Sequence, residues 1–210
     1  MARQYDAKAT RQRLLWAAFR EFHRVGYRGA NIERILTQAG VTKGALYYHF
    51  RGKRALGYAV IEEILSQWIV DRWLKPLESS VDLLDGVAKL ARWGERVAAP
   101  EGLSLGCPLN NLSQELCGAD EGFRLRLEAI YEEWGKGLSR LLAAAQASGV
   151  VRSDVDVRAV AAFIIAAREG SIGLAKSLQT AETLRFCRRE LEAYLDTLRC
   201  PGPEPGTSFR

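Results

Sequence analysis

The segment from Thr42 to Lys53 carries the densest set of side chains suited to contact nucleic acid. It reads Thr-Lys-Gly-Ala-Leu-Tyr-Tyr-His-Phe-Arg-Gly-Lys and so combines hydroxyl, ammonium and imidazole groups with small residues. Groups of this kind bind phosphate oxygens and the base edges of the major groove. With one earlier residue included, the candidate DNA-contacting residues are Asn31, Thr42, Lys43, Gly44, Ala45, Tyr47, Tyr48, His49 and Lys53.

The type and position of each candidate suggest its role. Lys43, at the start of a helix, can reach a base edge or a phosphate, while Gly44 and Ala45 let the helix backbone lie close to the groove floor. Tyr47 offers a ring to a thymine methyl group and a hydroxyl to a phosphate. Phosphate contacts, which fix register without reading sequence, are predicted for Thr42, Tyr48, His49 and Lys53.

Other interpretations of this segment stay open. His49 can equally be a packed histidine bonded to backbone, and Tyr48 can be half-buried. A helical hairpin of an unrelated bundle would also accommodate such residues. We expect several apolar neighbours to be core residues without DNA contacts: Trp16, Phe22, Ile35, Leu46 and Phe50.

Three short helices must position the candidates. Helical spacing of apolar residues predicts a first helix over residues 7–25, which Gly26 ends. Asn31 can cap the second helix, Gly40 supplies the turn, and Thr42 can cap the third helix. A helix-turn-helix of this kind places its second motif helix in the major groove of DNA.

The rest of the chain also has a helical pattern, and no segment shows the alternation typical of strands. The sequence therefore predicts an all-α fold with a three-helix helix-turn-helix domain over 7–52 and a larger helical domain over 53–199. The Pro/Gly-rich tail over 200–210 is predicted to be disordered. The helices after the motif turn are expected near 43–48, 53–74, 81–97, 108–116, 120–147, 156–178 and 181–198, and Pro76 is expected to end the second of them.

Charge is concentrated at the start of the chain. Residues 1–60 hold 12 Lys/Arg and 3 Asp/Glu, whereas the remaining residues hold 18 Lys/Arg and 22 Asp/Glu, so a basic head precedes a slightly acidic body. This distribution is typical of a nucleic-acid-binding protein with a separate second domain. A solvated basic face is the plain alternative.

Several protein classes are disfavoured by the sequence. No secretory signal is visible, and the longest apolar run, 159–167, is too short to span a bilayer. The four cysteines lack metal-like spacing, which indicates a cytoplasmic protein with reduced thiols and no metal site. No cofactor is predicted. The only histidines are His23 and His49, and no phosphate-binding glycine loop occurs, so no catalytic residues are predicted. A non-specific architectural DNA binder remains a rival.

Residues 10–54 resemble the DNA-binding domain of the TetR/AcrR family of bacterial one-component regulators. Leu36 departs from the family pattern, because a small residue is common there. The residues that carry the resemblance are Arg11, Leu14, Ala18, Phe22, Gly26, Tyr27, Ile32, Ile35, Ala39-Gly40-Val41, Lys43-Gly44, Leu46-Tyr47, His49-Phe50, Lys53 and Leu56.

The resemblance implies a transcriptional regulator, most often a repressor, that binds a palindromic operator in double-stranded DNA as a homodimer. An activator role depends on operator position, which no protein sequence contains. The last two helices would form the dimer interface, although their apolar residues can instead pack inside the monomer. The proposed interface residues are Val160, Ala161, Ile164, Gly170, Ile172 and Leu174.

A helical body of this family is expected to bind a small-molecule effector, which would tilt the helix over residues 53–74. An aromatic-rich body, with Trp73 among its rings, suits a small hydrophobic or aromatic molecule, although any single ring can be ordinary core. The candidate effector-binding residues are Trp68, Trp93, Cys107, Tyr131, Trp134 and Phe163.

Cys107 suggests an alternative function. The segment from Gly106 to Cys117 resembles one in the family branch that includes the N-ethylmaleimide reductase repressor, a thiol-based sensor. Cys107 precedes a predicted helix, whose N-terminus favours a reactive thiolate, and Lys176 is a candidate neighbour. The alternatives are a redox or electrophile sensor and a buried structural cysteine.

Overall fold

A computed structural model describes residues 2–96 and 100–201, and it describes side chains within 7–92 and 102–201. The helices are α1 (Ala2–Gly29), α2 (Ile32–Ala39), α3 (Lys43–His49), α4 (53–78), α5 (Leu83–Arg96), α6 (Pro100–Leu105), α7 (Pro108–Leu116), α8 (Glu121–Ala147), α9 (Val157–Leu178) and α10 (Glu182–Thr197). Within the described residues the only β-type pairing is an isolated antiparallel bridge between Val151 and Arg199. The predicted all-α fold is confirmed.

The predicted turn chemistry of the motif is confirmed in detail. Gly26 has φ 77° and ψ 167°, which interrupts α1 where the sequence predicts its end. Asn31 Oδ1 accepts hydrogen bonds from the backbone N–H groups of Glu33 and Arg34. Gly40 adopts the left-handed conformation at φ 62°, which favours glycine because it lacks a side chain.

The helix that begins at Lys53 does not end before Pro76, so that prediction is wrong. α4 alternates α-helical segments (Lys53–Ala59, Ser66–Ile69 and Lys75–Glu78) with π-helical segments (Val60–Leu65 and Val70–Leu74). Pro76 lies in the first turn of the last α-helical segment. The hydrogen bonding of the preceding π-helical segment is already irregular, and the missing backbone N–H of Pro76 is tolerated there. The short helix α6 was also not predicted.

The chain divides into two compact units. Unit 1 comprises Met1–Arg72 and Ser104–Glu133, and unit 2 comprises Trp73–Leu103 and Trp134–Arg210. α4 and α8 therefore each contribute residues to both units. The domain boundaries predicted at 7–52 and 53–199 were drawn from the sequence motif, whereas the two units are defined by how compactly the chain packs. The predicted boundaries therefore stay predictions. Of the tail predicted to be disordered, residues 202–210 lie outside the described residues.

The core of unit 1 lies between the helices of the motif, α4 and α8. Its fully buried side chains include Leu14, Leu15, Phe22, Ile35, Leu46, Leu56, Leu65 and Phe123. Trp16, predicted to be core, is 42% exposed, so that prediction is wrong. The reason is helical geometry, because Leu14, Leu15 and Ala18 take the inward positions and leave the ring of Trp16 resting edge-on against Phe19.

In unit 2, helix α9 has two different faces. Three of the residues proposed for a dimer interface, Val160, Ala161 and Ile164, are buried within the protomer, so the interpretation of those three as interface residues is wrong. Gly170 and Leu174 are exposed and Ile172 is half-buried. The helical period puts the first three residues on one face, which the protomer itself covers. No helix within the described ranges is long and apolar enough to cross a membrane.

The break at Gly26 gives a direct test of the motif. Its conformation is one that only glycine adopts readily, and a Cβ there would lie 2.7 Å from Glu115 Oε2. We expect Gly26→Ala to lower the free energy of unfolding by about 2 kcal/mol or more. Chemical denaturation measures the change.

Gly118→Ala is the matched control, because Gly118 is exposed and an added Cβ would meet nothing within 4 Å. Equal stability of the two variants would contradict the proposed role of Gly26.

Candidate DNA-binding site

Helix α3 is fixed on one side and open on the other. Leu46 is fully buried and Phe50, which follows the helix, is also buried. Tyr47 is 55% exposed and Tyr48 is 79% exposed, so the half-buried interpretation of Tyr48 is wrong. Lys43 and Gly44 are exposed and Ala45 is half-buried. The structure thus brings the candidates of α3 onto one outward surface.

Asn31 and Thr42 serve as helix caps. Asn31 Oδ1 accepts from two backbone amides, and Thr42 Oγ1 accepts from Ala45 N at 3.3 Å. In both side chains the acceptor oxygen is therefore used by the protein, while the Asn31 amide and the Thr42 hydroxyl keep a hydrogen to donate. Both residues are exposed, so their phosphate contacts remain sterically possible and stay predictions.

Lys43 lies at the first position of α3 with an exposed side chain. Its Nζ is 3.9 Å from Glu33 Oε1, and both side chains are well exposed. A pair this long between exposed groups contributes little to stability. The ammonium can therefore leave Glu33 for a phosphate or a base edge at small cost.

His49 lies at the end of α3, half-buried between two rings. Its ring centroid lies 4.9 Å from that of Tyr48 and 6.3 Å from that of Phe50. Burial lowers the pKa of His49 below its ordinary value, and the charge of Arg11 lowers it further. Both effects disfavour the charged imidazolium in the free protein, and a neutral ring can still give one N–H to a phosphate.

The ammonium of Lys53 joins α4 to the end of α1. Its Nζ donates to the carbonyl oxygens of Arg28 at 3.2 Å and Ala30 at 2.6 Å, and it lies 4.9 Å from the ring centroid of Tyr27. Burial lowers the pKa of Lys53, and the carboxylates of Glu115 and Glu21 oppose that shift. Two of the three N–H groups are used within the protein, which leaves one for the predicted phosphate contact.

A second set of contacts holds the motif to α4. The two guanidinium nitrogens of Arg11 donate to the two carboxylate oxygens of Glu63 at 2.5 and 2.6 Å, and the guanidinium carbon lies 5.1 Å from the ring centroid of Phe50. The hydrogen bond from Arg11 is the main cause that lowers the pKa of Glu63. Sequence reasoning missed Glu63, because nothing in the pattern connects residues so far apart in the chain.

Helix α7 and the segment just before it are hydrogen-bonded to the C-terminal part of α1. Glu115 accepts hydrogen bonds from the backbone N–H groups of Tyr27 at 2.8 Å and Arg28 at 2.6 Å. Before α7, His23 Nε2 donates to the carbonyl oxygen of Gly106 at 2.9 Å. α7 and the residue two positions before it are therefore bonded directly to α1. Sequence reasoning also missed this attachment.

Cys107 is the N-cap residue of α7, where the sequence places it, and only 3% of its surface is exposed. Cys107 belongs to unit 1, whereas Lys176 is half-buried on α9 of unit 2. Their proposed proximity stays a prediction. Among the described residues, no group of three or more His, Cys, Asp or Glu side chains is placed to hold a metal ion.

The remaining effector candidates fall in both units. In unit 1, Trp68 and Tyr131 are half-buried, and the guanidinium carbon of Arg72 lies 5.1 Å from the Trp68 ring centroid. In unit 2, Trp134 is fully buried, and Phe163 is largely exposed, with its ring centroid 4.6 Å from that of Tyr194. The side chain of Trp93 lies outside the described residues.

Two family models match the chain. The model for "Bacterial regulatory proteins, tetR family" matches residues 14–60, and the model for "Tetracyclin repressor-like, C-terminal domain" matches residues 87–191. The transcriptional regulator AcuR of Cereibacter sphaeroides is 32% identical over 178 residues, which are 81% of this chain and 78% of AcuR. The chain belongs to the TetR family. The first match contains α2 and α3 entirely.

Other members of the TetR family are also similar to this chain over most of its length. The repressor DhaR of Mycobacterium sp. strain GP1 is 31% identical over 200 residues, covering 88% of this chain and 92% of DhaR. A TetR regulator from Chloroflexus aurantiacus superposes with a TM-score of 0.83 and 28% identity over 94% of this chain and all of that one.

Reduced NemR of E. coli has a TM-score of 0.78 and 21% identity, covering 91% of this chain and 97% of NemR, and it shows the shared fold alone. Membership of the TetR family makes the chain a DNA-binding transcription regulator and not an enzyme.

Proposed function

We propose that this TetR-family protein is a ligand-responsive repressor that binds a palindromic operator as a homodimer. The observation that carries the proposal is the outward surface of α3, where Lys43, Tyr47 and Tyr48 are exposed while Leu46 is buried. A recognition helix needs this arrangement, because its inner side must be rigid and its outer side must be free to enter the major groove. DhaR, similar over most of the chain, is named a repressor.

The effector is proposed to be a small hydrophobic or aromatic molecule bound in the helical body. It can release the operator only if it binds one arrangement of the recognition helices better than the other. Two contacts support a route to the motif, because the Arg11–Glu63 pair joins α4 to α1 and Glu115 joins α7 to α1. A shift of α4 or α7 would then carry the first motif helix with it.

The dimer is proposed to form through α9 and α10. The exposed residues of α9 include a row at helical spacing: Ala159, Ala162, Phe163, Ala166, Gly170, Leu174 and Leu178. Phe186 of α10 is exposed as well. A row of small and apolar side chains along a helix suits the close, self-complementary contact of a two-fold dimer.

A thiol sensor that uses Cys107 is the alternative on the same scaffold. One observation favours it, because Cys107 follows Gly106, whose carbonyl binds His23 of α1, so an adduct there would disturb the motif. Burial of Cys107 opposes it, because a reactive thiol must be reached by the electrophile. We therefore rank the sensor second.

The recognition helix is tested by selection of binding sites from random duplexes, followed by Lys43→Ala and Tyr47→Ala. We expect a palindrome to be selected, and each variant to lose about 10- to 100-fold in affinity for it, because contacts to bases or phosphates disappear. Fluorescence anisotropy measures affinity, and circular dichroism checks the fold.

Lys89→Ala is the control, because it removes the same charge from an exposed position on α5. Wild-type operator affinity in both α3 variants would overturn the assignment of the recognition helix.

The dimer interface is tested by Leu174→Glu. Leu174 is 52% exposed on α9, so a carboxylate there should leave the protomer folded but would be buried without a partner in the dimer. We expect a monomer by sedimentation equilibrium. Leu125→Glu on α8, a similarly exposed leucine, should remain dimeric. A dimeric Leu174→Glu protein would contradict the interface.

The thiol alternative is tested with N-ethylmaleimide. Exposed Cys200 should react well before buried Cys107, and operator binding should persist after Cys200 is modified. Mass spectrometry locates the adducts, and a DNA-shift assay follows binding. Release from the operator that tracks modification of Cys107, and that Cys107→Ser abolishes, would replace the ligand-responsive proposal by the sensor.

A further inference from the structure

Four side chains of unit 2 form a buried polar cluster that the DNA-binding site does not use. The rings of Trp73 on α4 and Trp134 on α8 have centroids 5.3 Å apart and an interplanar angle of 45°. The guanidinium carbon of Arg168 on α9 lies 4.6 Å from the ring centroid of Trp73 and 5.8 Å from that of Trp134. Arg168 Nη1 donates to Glu169 Oε1 at 2.5 Å.

Three polar atoms of this cluster have no hydrogen-bond partner among the described residues. They are the indole nitrogens Nε1 of Trp73 and Trp134 and the carboxylate oxygen Oε2 of Glu169. The residues are deeply buried, with 5%, 0% and 7% of their surfaces exposed. Buried donors and acceptors are nearly always paired in folded proteins, so three such atoms in one cluster call for a partner beyond the described residues, and a bound molecule can supply it.

The backbone around the cluster is also unusual. Trp73 lies in the π-helical segment Val70–Leu74 of α4. Single π-helical turns within α-helices occur frequently at functional sites, since they turn a side chain away from its normal helical direction. Core packing alone does not require a π-helical turn. The π-helical segment that contains Trp73 is therefore a second observation that agrees with a ligand site there.

The charges of the cluster restrict what the partner can be. Arg168 and Glu169 neutralise each other, so an additional ion of either sign would be buried without a counter-ion. The two indole N–H groups require an acceptor, and Glu169 Oε2 requires a donor. An uncharged molecule with an oxygen acceptor beside an N–H or O–H donor meets all three requirements.

We propose that Trp73, Trp134 and Glu169 form the polar subsite of the effector, which takes an uncharged carbonyl or hydroxyl group with an adjacent hydrogen-bond donor, as in an amide or a hydroxy ester. Arg168 positions Glu169 and covers the face of Trp73. The inference rests on the proposed ligand-responsive function and refines it. The effector is mostly apolar but carries one neutral polar group that the two indoles and the carboxylate recognise.

The experiment observes the indoles directly. Protein with ¹⁵N-labelled tryptophan is titrated with benzamide and butyramide as neutral probes, benzoate and butyrate as anions, and toluene as an apolar probe. Trp73→Phe and Trp134→Phe assign the two indole signals. We expect the amides to shift both signals, the anions to bind more weakly than the amides, and toluene to leave the N–H shifts nearly unchanged.

Removal of one donor should weaken the binding of the amides. We expect Trp134→Phe to bind benzamide about 3- to 10-fold more weakly, the effect of one hydrogen bond, while toluene binds equally to both proteins. Trp16→Phe is the control, because Trp16 is exposed on α1 in unit 1. If Trp134→Phe fails to fold, Trp73→Phe gives the same comparison. The indole N–H shifts of the wild-type protein with the amides also test the subsite without any variant.

Three outcomes would overturn the subsite. The anions bind more tightly than the amides, Trp134→Phe loses affinity for toluene and benzamide equally, or no amide shifts the N–H signal of either indole. The titration requires no DNA. A protein that never binds an operator but shows the amide shifts refutes the repressor proposal and keeps the subsite, whereas an operator-binding protein without the shifts refutes the subsite alone.

Discussion

The burial of Leu46 is the constraint on which the surface of α3 depends. A helix of seven residues is too short to be stable alone, so its orientation comes from tertiary contacts. Leu46 and Phe50 fix its inner side, and the guanidinium of Arg11 lies over Phe50 while it pairs with Glu63. Through these contacts the inner side of one short helix is fixed against α1 and α2, the Arg11–Glu63 pair joins α1 to α4, and the other side of the helix is left free.

The same contacts connect the surface of α3 to the rest of unit 1. Lys53 donates to the carbonyls of Arg28 and Ala30, and Glu115 accepts from the amides of Tyr27 and Arg28, so both contacts lie just after the Gly26 break. Both charged groups satisfy backbone atoms where α1 breaks and ends, since such atoms have no helical partners. The end of α1 is therefore the place where α4 and α7 meet the motif within unit 1.

Local chemistry made much of the fold predictable. Capping by Asn31 and Thr42 and the turn at Gly40 follow from short-range rules, and all three are present in the structure. Pro76 was misjudged because the rule for proline assumes an α-helix, whereas α4 contains π-helical segments that no sequence pattern indicates. Glu63 and Glu115 were missed because their partners lie 52 and 88 residues away in the chain. The buried polar cluster of Trp73, Trp134, Arg168 and Glu169 was likewise not predictable, since the sequence shows ring positions but not unpaired atoms.

We expect the free side of α3 to insert into DNA, and a crystal structure of the protein with its selected operator tests this most directly. The expected result is two copies of α3 in successive major grooves, related by a two-fold axis, with Lys43 and Tyr47 at base edges or phosphates. A complex in which α3 faces solvent, or in which one protomer binds alone, would contradict the account.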